Sequence, residues 1–162
     1  MRLGVSRKRW LSIGVLAACL AVAQWVSGHV RWSESASLRE RFFWTERLAP
    51  GEPIERWTYV VFPKAHPFVF EGKEKLYIKV VRCLPGDYLE TRPDRSFWCN
   101  GEFLGIASET DSKGRPAPLF VFNGRIPEGR YFVLGEHPMS FDSKYWGFVR
   151  RDEILYRAKP LF

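Results

Sequence analysis

Leu76-Tyr77-Ile78-Lys79-Val80-Val81-Arg82-Cys83-Leu84-Pro85-Gly86-Asp87 reads as a strand that ends in a turn. Tyr77, Val80 and Val81 favour extended backbone, and Leu84 to Asp87 supplies the turn chemistry that stops it. Lys79 therefore falls mid-strand, between Ile78 and Val80. If it is buried there, it favours its neutral amine, its pKa falls, and it can take a proton near neutral pH. A solvated lysine on an ordinary strand satisfies the same segment. Outward from this strand the rhythm repeats. Short runs at Tyr59–Phe62, Tyr88–Thr91, Ser96–Cys99, Glu102–Leu104, Leu119–Phe122, Arg130–Leu134, Trp146–Val149 and Ile154–Ala158 alternate with turns. That pattern predicts a mainly β fold, with no internal repeat and no second long helical segment. Asn100-Gly101 signals a two-residue hairpin, Pro93-Asp94 a turn before Ser96, and Glu109–Pro118 an exposed loop.

The N-terminus is different in kind. From Leu11 to Val26 only Ser12, Gly14 and Gln24 interrupt an apolar run, and Arg2, Arg7, Lys8 and Arg9 precede it. This is near the lower limit of ~17–25 residues for a membrane span, and the basic flank predicts a cytoplasmic N-terminus with the rest of the chain outside. Ala21-Val22-Ala23 also has the small-x-small form of a cleaved secretory signal, which places the same domain outside. The expected division is a basic cytoplasmic segment at 1–10, an anchor or signal at 11–27, and an external domain at 28–162. Net charge is +7, but four positives fall in the first nine residues. The basic residues from Arg31 to Arg56 are diluted by Glu34, Glu40, Glu46, Glu52 and Glu55, so a nucleic-acid groove is not expected.

Seven tryptophans exceed the needs of a small core, and Trp10, Trp25 and Trp32 bracket the span as headgroup-level indoles do. Phe42-Phe43-Trp44 extends that lipid contact or forms an ordinary buried strand. Cys19 lies in the apolar run as a small packing residue. Cys83 and Cys99 end strands on the oxidising side of the membrane, where they form a disulfide or remain two buried thiols. His29, His66 and His137 have no ligand spacing, so no metal is expected.

A second segment gives Lys79 a context. Gly135-Glu136-His137-Pro138-Met139-Ser140-Phe141-Asp142-Ser143-Lys144 ends at Gly147, just before a short strand. With the lysine strand it resembles two ordered motifs of the type I signal peptidases, the membrane-bound Ser-Lys proteases, and most closely their conjugative-transfer, TraF-type branch. In that family a glycine-led loop carries Ser-x-Asp-Ser-Arg. Here Glu136-His137 stands for the usual Asp-Asn, and Lys144 stands where arginine is commoner. An Asp142–Lys144 pair lacks the fork of Asp–Arg. For the nucleophile the candidates are Ser33, Ser35 and Ser37. Ser35-Ala36-Ser37-Leu38 followed by Phe42-Phe43-Trp44 resembles the family's nucleophile motif, with Arg39 where the family usually has a proline two or three residues past the serine.

The resemblance implies a signal-peptidase-like complex β-fold behind one N-terminal transmembrane helix. It also implies a periplasmic peptidase domain on the bacterial inner membrane, in contact with membrane lipid. Ser37 is the expected nucleophile and Lys79 its base, with the Ser37 N–H and the Ser35 hydroxyl as oxyanion donors. Ser140 orients the lysine, Asp142 and Lys144 shape its loop, and Leu38 and Ile78 wall the substrate site. No cofactor is implied. The implied partner is an exported precursor with small residues before the cut, a pilin precursor in the conjugative branch, where some members join the new ends into a ring. From another class, a non-catalytic periplasmic β-domain of a secretion or conjugation apparatus could use the same fold as a scaffold, and Arg39 favours that alternative.

Overall fold

The computed structural model describes residues 7–33, 37–67, 72–111 and 113–162. Arg7–His29 forms α1, whose apolar residues Leu11, Leu16, Leu20 and Trp25 are all exposed. A helix this long and apolar that buries none of this surface against its own chain is a candidate membrane span. It overruns the predicted 11–27 at both ends, reaching His29 at one and Arg7 at the other, where arginine and lysine are good helix formers and do not stop it. Cys19 is exposed on it rather than packed inside the protein, and among the described residues no second helix is long and apolar enough to cross a membrane.

His29 is followed directly by β1 (Val30–Trp32). The junction is braced. The His29 ring stacks on Trp44 at 4.9 Å, Trp25 meets the same indole at 5.2 Å, and the Thr45 hydroxyl donates to the His29 carbonyl at 2.8 Å. β1 pairs antiparallel with β2 (Phe42–Arg47), with Trp32 opposite Phe42, and Ser33 N–H donates to the Arg41 carbonyl at 2.8 Å. The intervening hairpin loop carries Ser37. Phe42-Phe43-Trp44 is thus a strand. Phe43 is fully buried, whereas Phe42 is exposed between Trp32 and Phe162.

The remaining strands are β3 (Tyr59–Lys64), β4 (Lys75–Cys83), β5 (Tyr88–Thr91), β6 (Ser96–Cys99), β7 (Glu102–Ile106), β8 (Asn123–Arg125), β9 (Arg130–Leu134), β10 (Val149–Arg150) and β11 (Tyr156–Pro160), with the single-turn helix α2 (Ser143–Trp146) before β10. They form a seven-stranded sheet, β1-β2-β11-β3-β4-β9-β10, and a four-stranded one, β7-β6-β5-β8, in which all ladders are antiparallel. β4 lies inside the larger sheet and is covered on both faces, which explains its nearly unbroken apolar run. Ile78 and Val80 join Leu38, Phe43, Val61 and Ala158, while Val81 joins Val60, Phe62, Val133 and Val149 on the other side. The Cys83–Cys99 disulfide ties the end of β4 to the end of β6, with Cα atoms 6.3 Å apart. Closing a loop of this size stabilises by about 3 kcal/mol in the chain-entropy account.

Asn100 and Gly101 both take positive φ, 49° and 83°, and turn β6 tightly into β7. Two sequence expectations fail. Leu119–Phe122 is not a strand. Its backbone is captured piecemeal, Phe120 N–H by the Lys144 carbonyl at 2.9 Å and Phe122 N–H by the Thr91 hydroxyl at 3.2 Å, and the pairing strand β8 comes only after it. Trp146–Val149 is likewise not one strand, because Asp142 caps α2 through Lys144 N–H and the helix extends to Trp146 before β10 begins at Val149.

Candidate active site

Lys79 is placed by the register of β4. It faces Val60 of β3, and the ladder to β9 begins one residue further on, where Val80 meets Leu134. β9 then turns at Gly135 into the loop carrying Ser140, while the β1–β2 hairpin brings Ser37 from the other end of the sheet. The three side chains meet. Lys79, 1% exposed, places Nζ 2.8 Å from Ser37 Oγ and 2.9 Å from Ser140 Oγ. The meeting needs glycine at 135, because a Cβ there collides with the Ser140 hydroxyl and comes within 2.8 Å of the Ser37 carbonyl.

Beneath this contact lies an ion pair buried as deeply as the lysine. Asp142 is 0% exposed and Lys144 4%, with Nζ to Oδ2 at 2.8 Å. Asp142 also accepts from Gly135 N–H and Lys144 N–H, so one carboxylate fixes both ends of the Ser140 loop. Ser143 Oγ accepts from Val133 N–H and secures the same loop to β9. Burial drives the Lys79 pKa down from 10.5 to about 8; Asp142 opposes that shift and Lys144 adds to it. An amine near neutrality beside a hydroxyl can withdraw its proton.

Of the candidate serines among the described residues, Ser33 and Ser37, it is Ser37 that touches Lys79. Ser33 sits at the base of the hairpin with its N–H on Arg41, and Ser35 lies outside the described residues. Leu38 and Ile78 are both buried in one cluster, and strand alternation turns Ile78 away from the Lys79 side of β4. Among the described residues, Cys83, Asp87 and Cys99 form a group of metal-ligating types, but their two sulfurs are bonded to each other and Asp87 is held by Arg56 at 2.8 Å.

The profile of the signal peptidase family, peptidase S26, matches residues 7–162. The chain belongs to this family. It is 30% identical to a probable signal peptidase I-2 of Synechocystis, over 92% of this chain and 71% of that protein. It is 32% identical to the conjugal transfer protein TraF of Agrobacterium fabrum, over 52% of this chain and 48% of that protein. The crystal structure of a signal peptidase I from Enterococcus faecalis is 28% identical, with a TM-score of 0.38, over 64% of this chain and 94% of that one. The family resemblance read from the two motifs is borne out, and the TraF relative supports the conjugative branch. Membership makes the chain a peptidase of the class that removes signal peptides from precursor proteins.

Two residues at the site had no role in the sequence reading. Tyr59 donates its hydroxyl to Glu136 Oε1 at 2.7 Å, and Glu136 Oε2 accepts Arg39 N–H at 2.8 Å. Burial, with the Glu136 carboxylate second, raises the Tyr59 pKa, so the phenol stays a donor. The signal for Glu136 was its departure from the family's aspartate. Tyr59 is 77 residues away in sequence, and no local pattern links it to Glu136.

Proposed function

We propose that this protein is a membrane-anchored serine endopeptidase in which Ser37 is the nucleophile and Lys79 the general base. The observation that carries the reading is a buried amine, its pKa near neutral, touching two hydroxyls delivered by separate loops. Neutral Lys79 takes the Ser37 proton as Oγ adds to the scissile carbonyl. The oxyanion is met by the Ser37 N–H with the Ser35 hydroxyl, each such donor contributing roughly 2.7–4 kcal/mol. Collapse returns the proton from Lys79 to the leaving amine, and the acyl-enzyme passes to water, or to an amine if the product is cyclised. Ser140 holds the lysine amine, and the Asp142–Lys144 pair holds the Ser140 loop.

The substrate is a precursor protein exported across the bacterial inner membrane, and the TraF relative supports a pilin or other conjugative-transfer precursor. It binds as an extended segment beside β4, so that alternate side chains of the precursor face the dyad; Ile78, buried on the other face of β4, is not one of the walls. The domain lies on the periplasmic side, its exposed Trp32, Phe42 and Phe162 against lipid headgroups.

The pH dependence tests the base. Only the neutral amine accepts a proton, so kcat/KM for precursor cleavage in detergent should climb about tenfold per pH unit below about 8 and level off above it. A profile flat down to pH 5 rules out a lysine base. Topology is checked separately. A reporter fused after Phe162 should be active only if it works outside the cytoplasm, and activity of a cytoplasm-dependent reporter at that point reverses the assignment.

A further inference from the structure

Glu136 grips the nucleophile turn at two places. Its own N–H, seconded by that of His137, donates to the Ser37 carbonyl at 2.7 Å and 3.1 Å, and its carboxylate accepts Arg39 N–H at 2.8 Å. The bonded groups lie on either side of Leu38, so the peptide just past Ser37 is held from both flanks. The carboxylate is itself braced by the Tyr59 hydroxyl at 2.7 Å, and Tyr59 stands on β3 opposite Val80, next to Lys79 on the neighbouring strand. Three segments that meet at the dyad are thereby tied through one side chain. The position is also one the sequence marks as unusual. A proline at 39 would have no N–H to donate, whereas Arg39 has one, and Glu136 is the acceptor that satisfies it.

Resting on the Ser-Lys reading above, we propose that Glu136 is a positioning residue that clamps the turn carrying Ser37 against Lys79, with Tyr59 as the brace of the clamp. The carboxylate touches no reacting atom. Its effect is geometric: holding Ser37 Oγ within reach of the amine affects the rate of attack more than the binding of the precursor, and misplacement on the order of 1 Å costs up to about 100-fold in rate.

The test is steady-state cleavage of a precursor by the full-length protein in detergent, with thermal unfolding of every variant alongside. Glu136→Ala should lower kcat about 10- to 100-fold with KM within about twofold. Glu136→Gln should recover most of that loss, because its carbonyl oxygen accepts Arg39 N–H and its amide donates to the Tyr59 oxygen. Tyr59→Phe should cost a smaller factor in the wild-type background and almost nothing in Glu136→Ala, the non-additivity of two parts of one device. The clamp is overturned if Glu136→Ala stays within about twofold of wild type, if its loss lies in KM, or if glutamine fails to rescue. Should Glu136→Ala not fold, a folded Glu136→Gln that has lost more than about tenfold in kcat, or a Tyr59→Phe at the wild-type kcat, overturns it equally. Ser37→Ala separates the layers: its inactivity beside an unimpaired Glu136→Ala removes the clamp alone, and its activity removes the dyad and the clamp together.

Discussion

Ser37→Ala and Lys79→Ala should each lower precursor cleavage by about 10⁴-fold or more without unfolding the protein. The magnitude follows from what remains when one member of a unit that acts together is lost, namely oxyanion donors and binding alone. The double variant should be no worse than either single one, since neither group has a function without the other. Lys79→Arg should be as inactive as Lys79→Ala, because a guanidinium does not give up its proton near neutral pH. Stability is not expected to follow activity. A lysine whose pKa falls from 10.5 to about 8 on folding binds fewer protons in the folded chain than in the unfolded one between those values. The fold therefore gains stability as pH rises through that window, and below about pH 8 it carries the full penalty of a buried ammonium, roughly 3 kcal/mol. Removing the side chain relieves that penalty while forfeiting its contacts with the two hydroxyls. Lys79→Ala should thus unfold at the wild-type denaturant concentration or slightly higher, as circular dichroism in urea would record, whereas Lys79→Arg keeps a buried charge and should unfold earlier. Retention of the wild-type rate by either single variant rejects the dyad.

The part of this site that could be read from sequence is the part encoded locally. Val80, Val81 and the turn residues Leu84 to Asp87 determine strand and break within a dozen residues, and the structure ends β4 at Cys83 as they require. The pairing of Ser96–Cys99 back on Tyr88–Thr91, and with it the placing of Cys99 near Cys83, follows from short turns of the same kind. Choosing among Ser33, Ser35 and Ser37 was another matter. The contacts that single out Ser37 and Ser140 cross 42 and 61 residues of chain to Lys79, and no propensity operates at that range. Only the family motif ordered those residues in advance. Leu119–Phe122 failed for the opposite reason: its aromatic residues have strand propensity, but their rings are claimed by Phe132 and Phe148. Tertiary packing outweighed local preference there, whereas at Lys79 the two agreed.

Asp142→Ala should be the most destabilising single change at the site, by about 3–5 kcal/mol. Lys144 would lose the partner of a charge that is 4% exposed, Gly135 N–H would lose its acceptor, and α2 would lose its cap. Against a total of about 5–15 kcal/mol, that leaves a marginal fold. Lys144→Met should cost less, because the Asp142 carboxylate keeps its two backbone N–H donors when the ammonium is gone. Combining Lys144→Met with Asp142→Asn should return part of the loss, since no unpaired charge then remains and the amide oxygen still accepts from the backbone. Urea unfolding at pH 7 orders the four proteins, and an Asp142→Ala variant within about 1 kcal/mol of wild type would show that the pair does not hold the loop. Activity adds a second reading that stability alone does not. Asp142 raises the Lys79 pKa, so neutralising it should move the acid limb of the rate profile below about 8 even in variants that remain folded. A shifted limb shows that the Asp142 charge acts on the Lys79 amine, while a lower plateau with an unshifted limb assigns Asp142 to the scaffold only.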